Sequence, residues 1–445
     1  MPVNLASPGI VVREVDLTIG RVDSATDKNA AIVGPFEKGP VNIPIIIESE
    51  QDLIDNFGKP YNTDDQVEYW MVASSYLAYG GQLSVVRAAD TNLNNATDDA
   101  GTVVINSVDD YINKGYDEST LAGTVVAARN PGSWANGLKV AIIDSFADQV
   151  ISVASTTGAA VGMGVTQTAS GVLAGAGSTS VLDGTFKGII TEIGTGTITV
   201  KFLSHTPNGG TETEKDYEAS GVYKFGTTGN ITVVNNSAVG VLTTSVSSTA
   251  DWFDSQTITT TNGVPISWNQ VAERPGTSAY AAARSSRFDE VHVVVIDDDG
   301  DVTGNAGTIL EKNLNLSKAK DAEFSAGSTS YWRKFLLNAS DNIFGLSGPT
   351  GAVVTAFKST GNGFVKVTGA DWDINAQNVK FDANGNIGYS LSGGKNYDGT
   401  TDITAAGALT ATLGDLSNGY GLFENTEEFD IDFLLMGSGS YTTST

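Results

Sequence analysis

Ala30-Ala31-Ile32-Val33, Ile43-Pro44-Ile45-Ile46-Ile47 and, after a gap, Leu83-Ser84-Val85-Val86-Arg87-Ala88 decide the reading of the first ninety residues. Each run is short and almost continuously apolar, the pattern of a strand covered on both faces. Between them lie two helix signals. Ser49-x-x-Asp52 is a helix start and Gly58 a stop, and Thr63 with Gln66 forms a second capping box. The second helix is expected to set Val67, Met71, Ser74, Leu77 and Ala78 along one stripe and to end at Gly80-Gly81. Residues 23–90 are therefore predicted to be an α/β unit in the order strand, strand, helix, helix, strand.

Upstream stands Ser7-Pro8-Gly9-Ile10-Val11-Val12-Arg13-Glu14-Val15. Pro8 and Gly9 break the chain, and a strand-prone run follows with Ile10 and Val12 on one face and Val11 and Val15 on the other. No strand-like run comes before residues 30–33 to pair with it. Two readings stay open from these residues alone. The strand folds back onto its own domain, or residues 1–22 form an arm that adds a strand to another subunit's sheet.

Downstream the character changes. Over residues 91–275 charge thins out, and Gly, Thr and Ser dominate. Alternating runs at residues 123–128, 138–144, 189–202 and 230–234 predict an inserted, outward-facing β-rich region of sandwich or barrel type. Residues 158–184 are small and polar enough for a loop or weakly paired strands. Residues 276–445 return to α/β character: an Ala-rich helix over 276–286, a buried strand over 291–296, a helix over 329–338 and a strand over 429–436. The whole is expected to be an α+β multidomain chain, its α/β core built from N- and C-terminal segments around the inserted β-rich domains.

With 445 residues and 40% hydrophobic content the chain can build more than one core. It carries 25 Lys and Arg against 51 Asp and Glu, a formal charge of −26. Such a surface repels nucleic-acid phosphates and anionic membranes, so neither is an expected partner. The absence of cysteine removes disulfides, thiolate zinc sites and thiol catalysis. No secretory signal is recognisable in residues 1–20, and no apolar run of about eighteen residues predicts a membrane-spanning helix.

Candidate chemistry is sparse. His292 lies within the apolar run Val291-His292-Val293 and reads as a packed or interface residue; His205 stands before Thr206-Pro207-Asn208 in a turn. Asp297, Asp299 and Asp301 have the first three spacings of a calcium loop. Val302 stands where that loop needs its sixth-position glycine, and Thr308 where it needs a bidentate Glu. They read as a solvated acidic turn. Asp382, Asn384 and Asn386 fail likewise, and Asn384-Gly385 reads as a hairpin turn. No phosphate loop, nucleophile elbow or zinc-protease helix is present, so no catalytic residue, cofactor or metal is expected.

Several segments together resemble the tail sheath proteins of contractile-tailed bacteriophages, of the long, large-phage type. They are Ser7-Pro8-Gly9-Ile10 with Glu14, Gly34-Pro35-Phe36-Glu37-Lys38-Gly39-Pro40, Asn56-Phe57-Gly58-Lys59-Pro60, Tyr79-Gly80-Gly81 and the run Leu83 to Ala88. Further on come Asn130-Pro131-Gly132-Ser133-Trp134-Ala135-Asn136-Gly137, Arg274-Pro275-Gly276-Thr277-Ser278, Asp289-Glu290-Val291-His292-Val293-Val294 and Leu391-Ser392-Gly393-Gly394 with Asp398-Gly399. Residues 145–265 carry no such resemblance. The resemblance implies a structural virion subunit, assembled in the bacterial cytoplasm, that stacks with its own copies as helically related hexameric rings around a tail tube. It also implies contraction on a baseplate signal, with tube, baseplate and tail terminator proteins as partners and Pro8 to Val15 as a linking arm. Relatives continue past a strand like 429–436, so a C-terminal tube-facing domain is expected to be missing here. The alternatives are a sheath from a phage-derived injection system and, in another class, a β-rich adhesin or carbohydrate-binding protein.

Overall fold

In a computed structural model the chain is described at residues 29–61, 65–99, 101–117, 121, 123–173, 181–235, 239–284, 286–347, 383–397 and 407–437. Pro8 to Val15, the Thr63 cap and Asp382 lie outside them. Two compact units separate.

The first unit holds the opening strands. β1 (Asn29–Gly34) pairs in parallel with β3 (Gln82–Arg87), and β2 (Ile45–Ile47) pairs antiparallel with β3. Pro44 has no N–H to give a ladder, so β2 is shorter than residues 43–47. Helix α1 (Glu50–Phe57) begins where Ser49 Oγ accepts from the Asp52 N–H at 3.2 Å, and ends at Gly58, whose φ of 86° suits a residue without Cβ. Helix α2 (Gln66–Leu77) follows, but its buried side is Gln66, Tyr69, Trp70, Ala73 and Leu77, while Met71 and Ala78 are exposed. The aromatic pair decides the rotation. Tyr69 and Trp70 hide more apolar area than Val67 and Met71, and the Trp70 indole donates to the Gly58 carbonyl at 3.0 Å.

The second unit begins with α3 (Val108–Asn113), β4 (Val126–Ala128) and β5 (Leu138–Asp144). A barrel then follows from β6 (Gln149–Val153), β7 (Gly164–Leu173), β8 (Val181–Gly194), β9 (Thr197–Pro207), β10 (Thr213–Glu214), β11 (Asn230–Val234) and β12 (Gly240–Asp251). Six of these close in the order β9-β6-β12-β11-β7-β8 because β8 also pairs with β9, and β10 is appended to β9. Closure leaves those six strands without a free edge. The interior is apolar, with Ile151, Val165, Phe186, Ile198, Phe202 and Ile231 among its buried side chains. The run expected over 189–202 is two strands, turned at Gly196 with φ 72°. Alternation alone does not register a tight turn inside it.

After the barrel, β13 (Thr257–Ile258), β14 (Ile266–Ser267) and α4 (Trp268–Val271) lead to α5 (Ala279–Ala282). The Ala-rich helix expected over 276–286 is thus a single turn. Asp289 accepts from Ser278 N and Oγ at 2.8 and 2.7 Å, which draws the chain back toward the next strand. That strand, β15 (Glu290–Asp297), is central in an antiparallel sheet β16-β15-β5-β20, where β16 is Thr308–Ser317 and β20 Asn386–Ser390. Val291, Val293 and Val295 face Trp134, Tyr331, Trp332 and Leu336; Val294 and Ile296 face Trp252, Phe253 and Trp268. Cover on both faces explains the unbroken apolar run. After β16, β17 (Glu323–Ser325) and β18 (Ser328–Thr329) pair as a hairpin. Helix α6 (Trp332–Ala339) starts after Tyr331 rather than at 329, and β19 (Ile343–Gly345) pairs with β4.

The chain then completes the first unit. Helix α7 (Leu413–Tyr420) opens with a Thr412–Asp415 capping box, and β21 (Phe433–Leu435) pairs in parallel with β1, giving the sheet order β2-β3-β1-β21. The strand expected over 429–436 is shorter because the Glu428 and Phe429 N–H groups turn back to the Asn425 carbonyl. α2 and α7 cover opposite faces of β1: a Cβ on Gly34 would meet Tyr69, and one on Gly419 would meet Val33. Both ends of the described chain thus contribute to one mixed α+β, strand-rich architecture.

Candidate assembly surface

β21 is the last strand of its sheet among the described residues, so one side of its backbone ladder is open. Its side chains are unusual for such a position. Phe433 is 51% exposed, Leu434 58%, and the following Met436 67%. Phe433 pairs with Ala30 and Leu434 with Ala31, so apolar groups project from both faces of an open edge. Leading into it, Glu424, Glu427, Glu428, Asp430 and Asp432 are all exposed. Soluble chains blunt exposed edges with charge, proline or brevity. Here the brevity is present, and the charge lies before the strand rather than on it. This combination suits addition of a strand from another chain. Pro8, Gly9, Ile10, Val11, Val12, Arg13, Glu14 and Val15, the residues singled out for such a role, lie outside the described residues.

Two of the sequence motifs meet in the second unit. Asn136 of the Pro131-Gly132-Ser133-Trp134 segment accepts from Gly394 N at 2.7 Å and donates to its carbonyl at 3.1 Å. Asn396 accepts from Ser133 N at 2.9 Å and donates to Ser133 Oγ at 2.8 Å. A Cβ at Gly394 would lie 2.2 Å from the Gly132 carbonyl, so only glycine fits. These residues brace two distant stretches of chain. Nothing in their spacing marks them as partners.

The histidines are packed. His292 is fully buried: its Nε2 donates to the Glu273 carbonyl at 2.9 Å, and its Nδ1 accepts from Asn315 N at 3.0 Å. Burial holds its pKa below the ordinary histidine value, and the same cause acts on His205. Asp297 caps its own turn, accepting from Thr303 N and Oγ1 at 2.6 Å each, while Asp298 pairs with Lys139 at 2.9 Å. Among the described residues no three His, Cys, Asp or Glu side chains converge in a way that could hold a metal ion.

Part of the chain has named relatives. It is 38% identical over 86 residues to the tail sheath protein of Enterobacteria phage T4, which is 19% of this chain and 13% of that protein. With the tail sheath protein of Vibrio phage KVP40 the identity is 40% over 94 residues, 21% of this chain and 14% of the other. Over about a fifth of its length this chain is similar to phage tail sheath proteins. The related stretches span about a seventh of those relatives' own length. No family model matches. Two solved structures overlap weakly: a sheath tail protein from Desulfitobacterium hafniense (14% identity, 32% of this chain and 25% of that one, TM-score 0.17) and Lin1278 from Listeria innocua (13%, 45% and 34%, TM-score 0.17). Overlays of that quality carry no argument about fold. No helix among the described residues is long and apolar enough to cross a membrane.

Proposed function

We propose that this chain is a structural, non-enzymatic subunit of a contractile phage tail sheath. The observation that carries the reading is the 38–40% identity to two tail sheath proteins over about a fifth of the chain. In this reading, copies stack as helically related hexameric rings around a tail tube in the virion, assembled in the host cytoplasm. They bind the tube, baseplate and tail terminator proteins, and contract to drive the tube through the host envelope. Residues 1–22 act as the linking arm, with Ile10 to Val15 added to a neighbour's sheet. Residues 23–90 and 276–445 carry the α/β core, and residues 91–275 the outward insertion. The open edge of β21 supports an assembly that extends sheets between subunits, because a backbone ladder holds its partner while the bodies it joins reorient. Electron microscopy of the chain expressed alone tests this: helical tubes or stacked six-fold rings are expected, and a strictly monomeric protein at high concentration would refute it. Deleting residues 1–20 should abolish polymerisation with the melting temperature nearly unchanged. A large drop in melting temperature would place the segment in its own core instead.

A further inference from the structure

The barrel of the second unit is joined to the rest of that unit by two covalent crossings, one between β5 and β6 and one after β12. The stretch 272–289, which lies beyond the barrel in sequence, reaches back to it with two arginines. Arg274 Nη2 lies 2.5 Å from both carboxylate oxygens of Asp251, at the end of β12, and Nη1 lies 3.3 Å from Asp148. Its guanidinium also stacks 4.7 Å from the Tyr217 ring and 5.6 Å from Phe253. Arg287 donates to the carbonyls of Leu203 on β9 and Lys215 at 2.9 and 2.8 Å, and to Asp216 at 2.7 Å. From the barrel side, Lys201 on β9 reaches out to Asp148 at 2.9 Å and Ser145 at 2.7 Å, and rests over the Phe288 ring. Phe288 holds φ at 64°, a conformation that costs a non-glycine residue and that the packing around it enforces. Beside Arg274 a cleft of about 490 Å³ opens between Ala219 of the barrel and Phe253, Asn269 and Val271 of the remainder.

We propose that Arg274, Arg287 and Lys201 form a latch that fixes the barrel's orientation on the β5–β15 sheet, and that without it the barrel pivots on its two crossings across this cleft. The chain has only 25 Lys and Arg among 76 charged residues, and three of the 25 converge here on backbone carbonyls and carboxylates from both sides. Bidentate and multiply bonded guanidinium groups fix angle as well as distance, which suits them to setting the barrel's tilt. The apolar packing of Trp252 and Phe253 on the sheet holds the crossings; the cations hold the barrel's tilt. This inference is independent of the proposed sheath role.

The absence of cysteine allows a clean test. Ser245→Cys on β12 and Glu323→Cys on the hairpin after β16 are both exposed, and spin labels there report the barrel-to-body distance in the full chain. A single narrow distance distribution is expected. Arg274→Gln with Arg287→Ala should broaden it at least about twofold and speed amide exchange at Phe202 and Leu203 about tenfold, leaving β7 and β11 within about twofold. An already broad distribution in the parent overturns the proposal, as does an unchanged one in the variant. Loss of protection in β7 and β11 together with Phe202 also overturns it, because the cations would then belong to the barrel's own core.

Discussion

Replacing Gly419 by alanine should destabilise the first unit, although alanine is the better helix former. Gly419 lies inside α7, where the intrinsic preference favours alanine by about 1 kcal/mol. Its Cα faces β1, and an added Cβ would stand 2.4 Å from Val33 Cγ1. Val33 is fully buried and β-branched, so its rotamer is stiff. Overpacking of this kind costs about 1–3 kcal/mol and here acts against the helical gain, leaving a net loss of up to about 2 kcal/mol. Val33→Ala alone should cost about 1–3 kcal/mol by opening a cavity. The double variant should be more stable than the two losses added together, by at least about 1 kcal/mol, because the new methyl occupies the space vacated by the valine. Urea unfolding, with amide exchange along β1 and β3 to localise the effect, measures all four states of this cycle. A Gly419→Ala protein more stable than the parent by the full helical gain of about 1 kcal/mol, or a strictly additive double variant, would show that the helix and strand are not in the contact described.

Three further outcomes follow from the structure. Asp144 is 1% exposed and accepts from Lys318 Nζ at 2.7 Å, Asn384 N at 2.8 Å and Gly385 N at 2.9 Å; Asp144→Ala should cost about 3–5 kcal/mol in urea unfolding by stranding the buried ammonium, and a loss under about 1 kcal/mol would contradict that role. Because burial depresses the folded pKa of His292, the unfolded chain takes up its proton first as pH falls below about 6.5. Stability from this group is therefore complete above that pH and declines as pH falls toward the folded pKa. His292→Gln should flatten the stability slope between about pH 7.5 and 5.5, and an unchanged slope would exclude the histidine as its source. Leu434→Lys on the open edge of β21 should prevent assembly while shifting stability by no more than about 0.5 kcal/mol, and normal tubes or rings from that variant would remove the edge from the interface.

Short-range physics was legible from the residues. Ser49, Gly58 and the apolar runs at β1, β3, β5 and β15 specify their own local structure, because caps, glycine and covered strands act over a few positions. The α2 stripe and the single-turn α5 were misread, since the rotation of one depends on which aromatics find cover and the length of the other on a bond to Asp289. The turn at Gly196 was missed because strand alternation continues through it. At the candidate assembly surface, the edge could not be foreseen: β21 reads as a strong apolar strand, and whether its sides are covered depends on neighbours about 400 residues away along the chain. The same holds for Asn136 and Asn396, whose partners are set by closure of the fold.

By itself, then, the sequence determined that this is a cysteine-free, acidic, strand-rich α+β chain with resemblance to sheath proteins and no catalytic motif. Composition and local propensity are properties of residues and their near neighbours. Only the tertiary structure decided that six middle strands close into a barrel, that scarce cations gather where that barrel meets its sheet, and that β1 lies between α2 and α7 with β21 open beside it. Those outcomes depend on which distant surfaces meet, and burial and hydrogen-bond pairing settle that only for the chain as a whole.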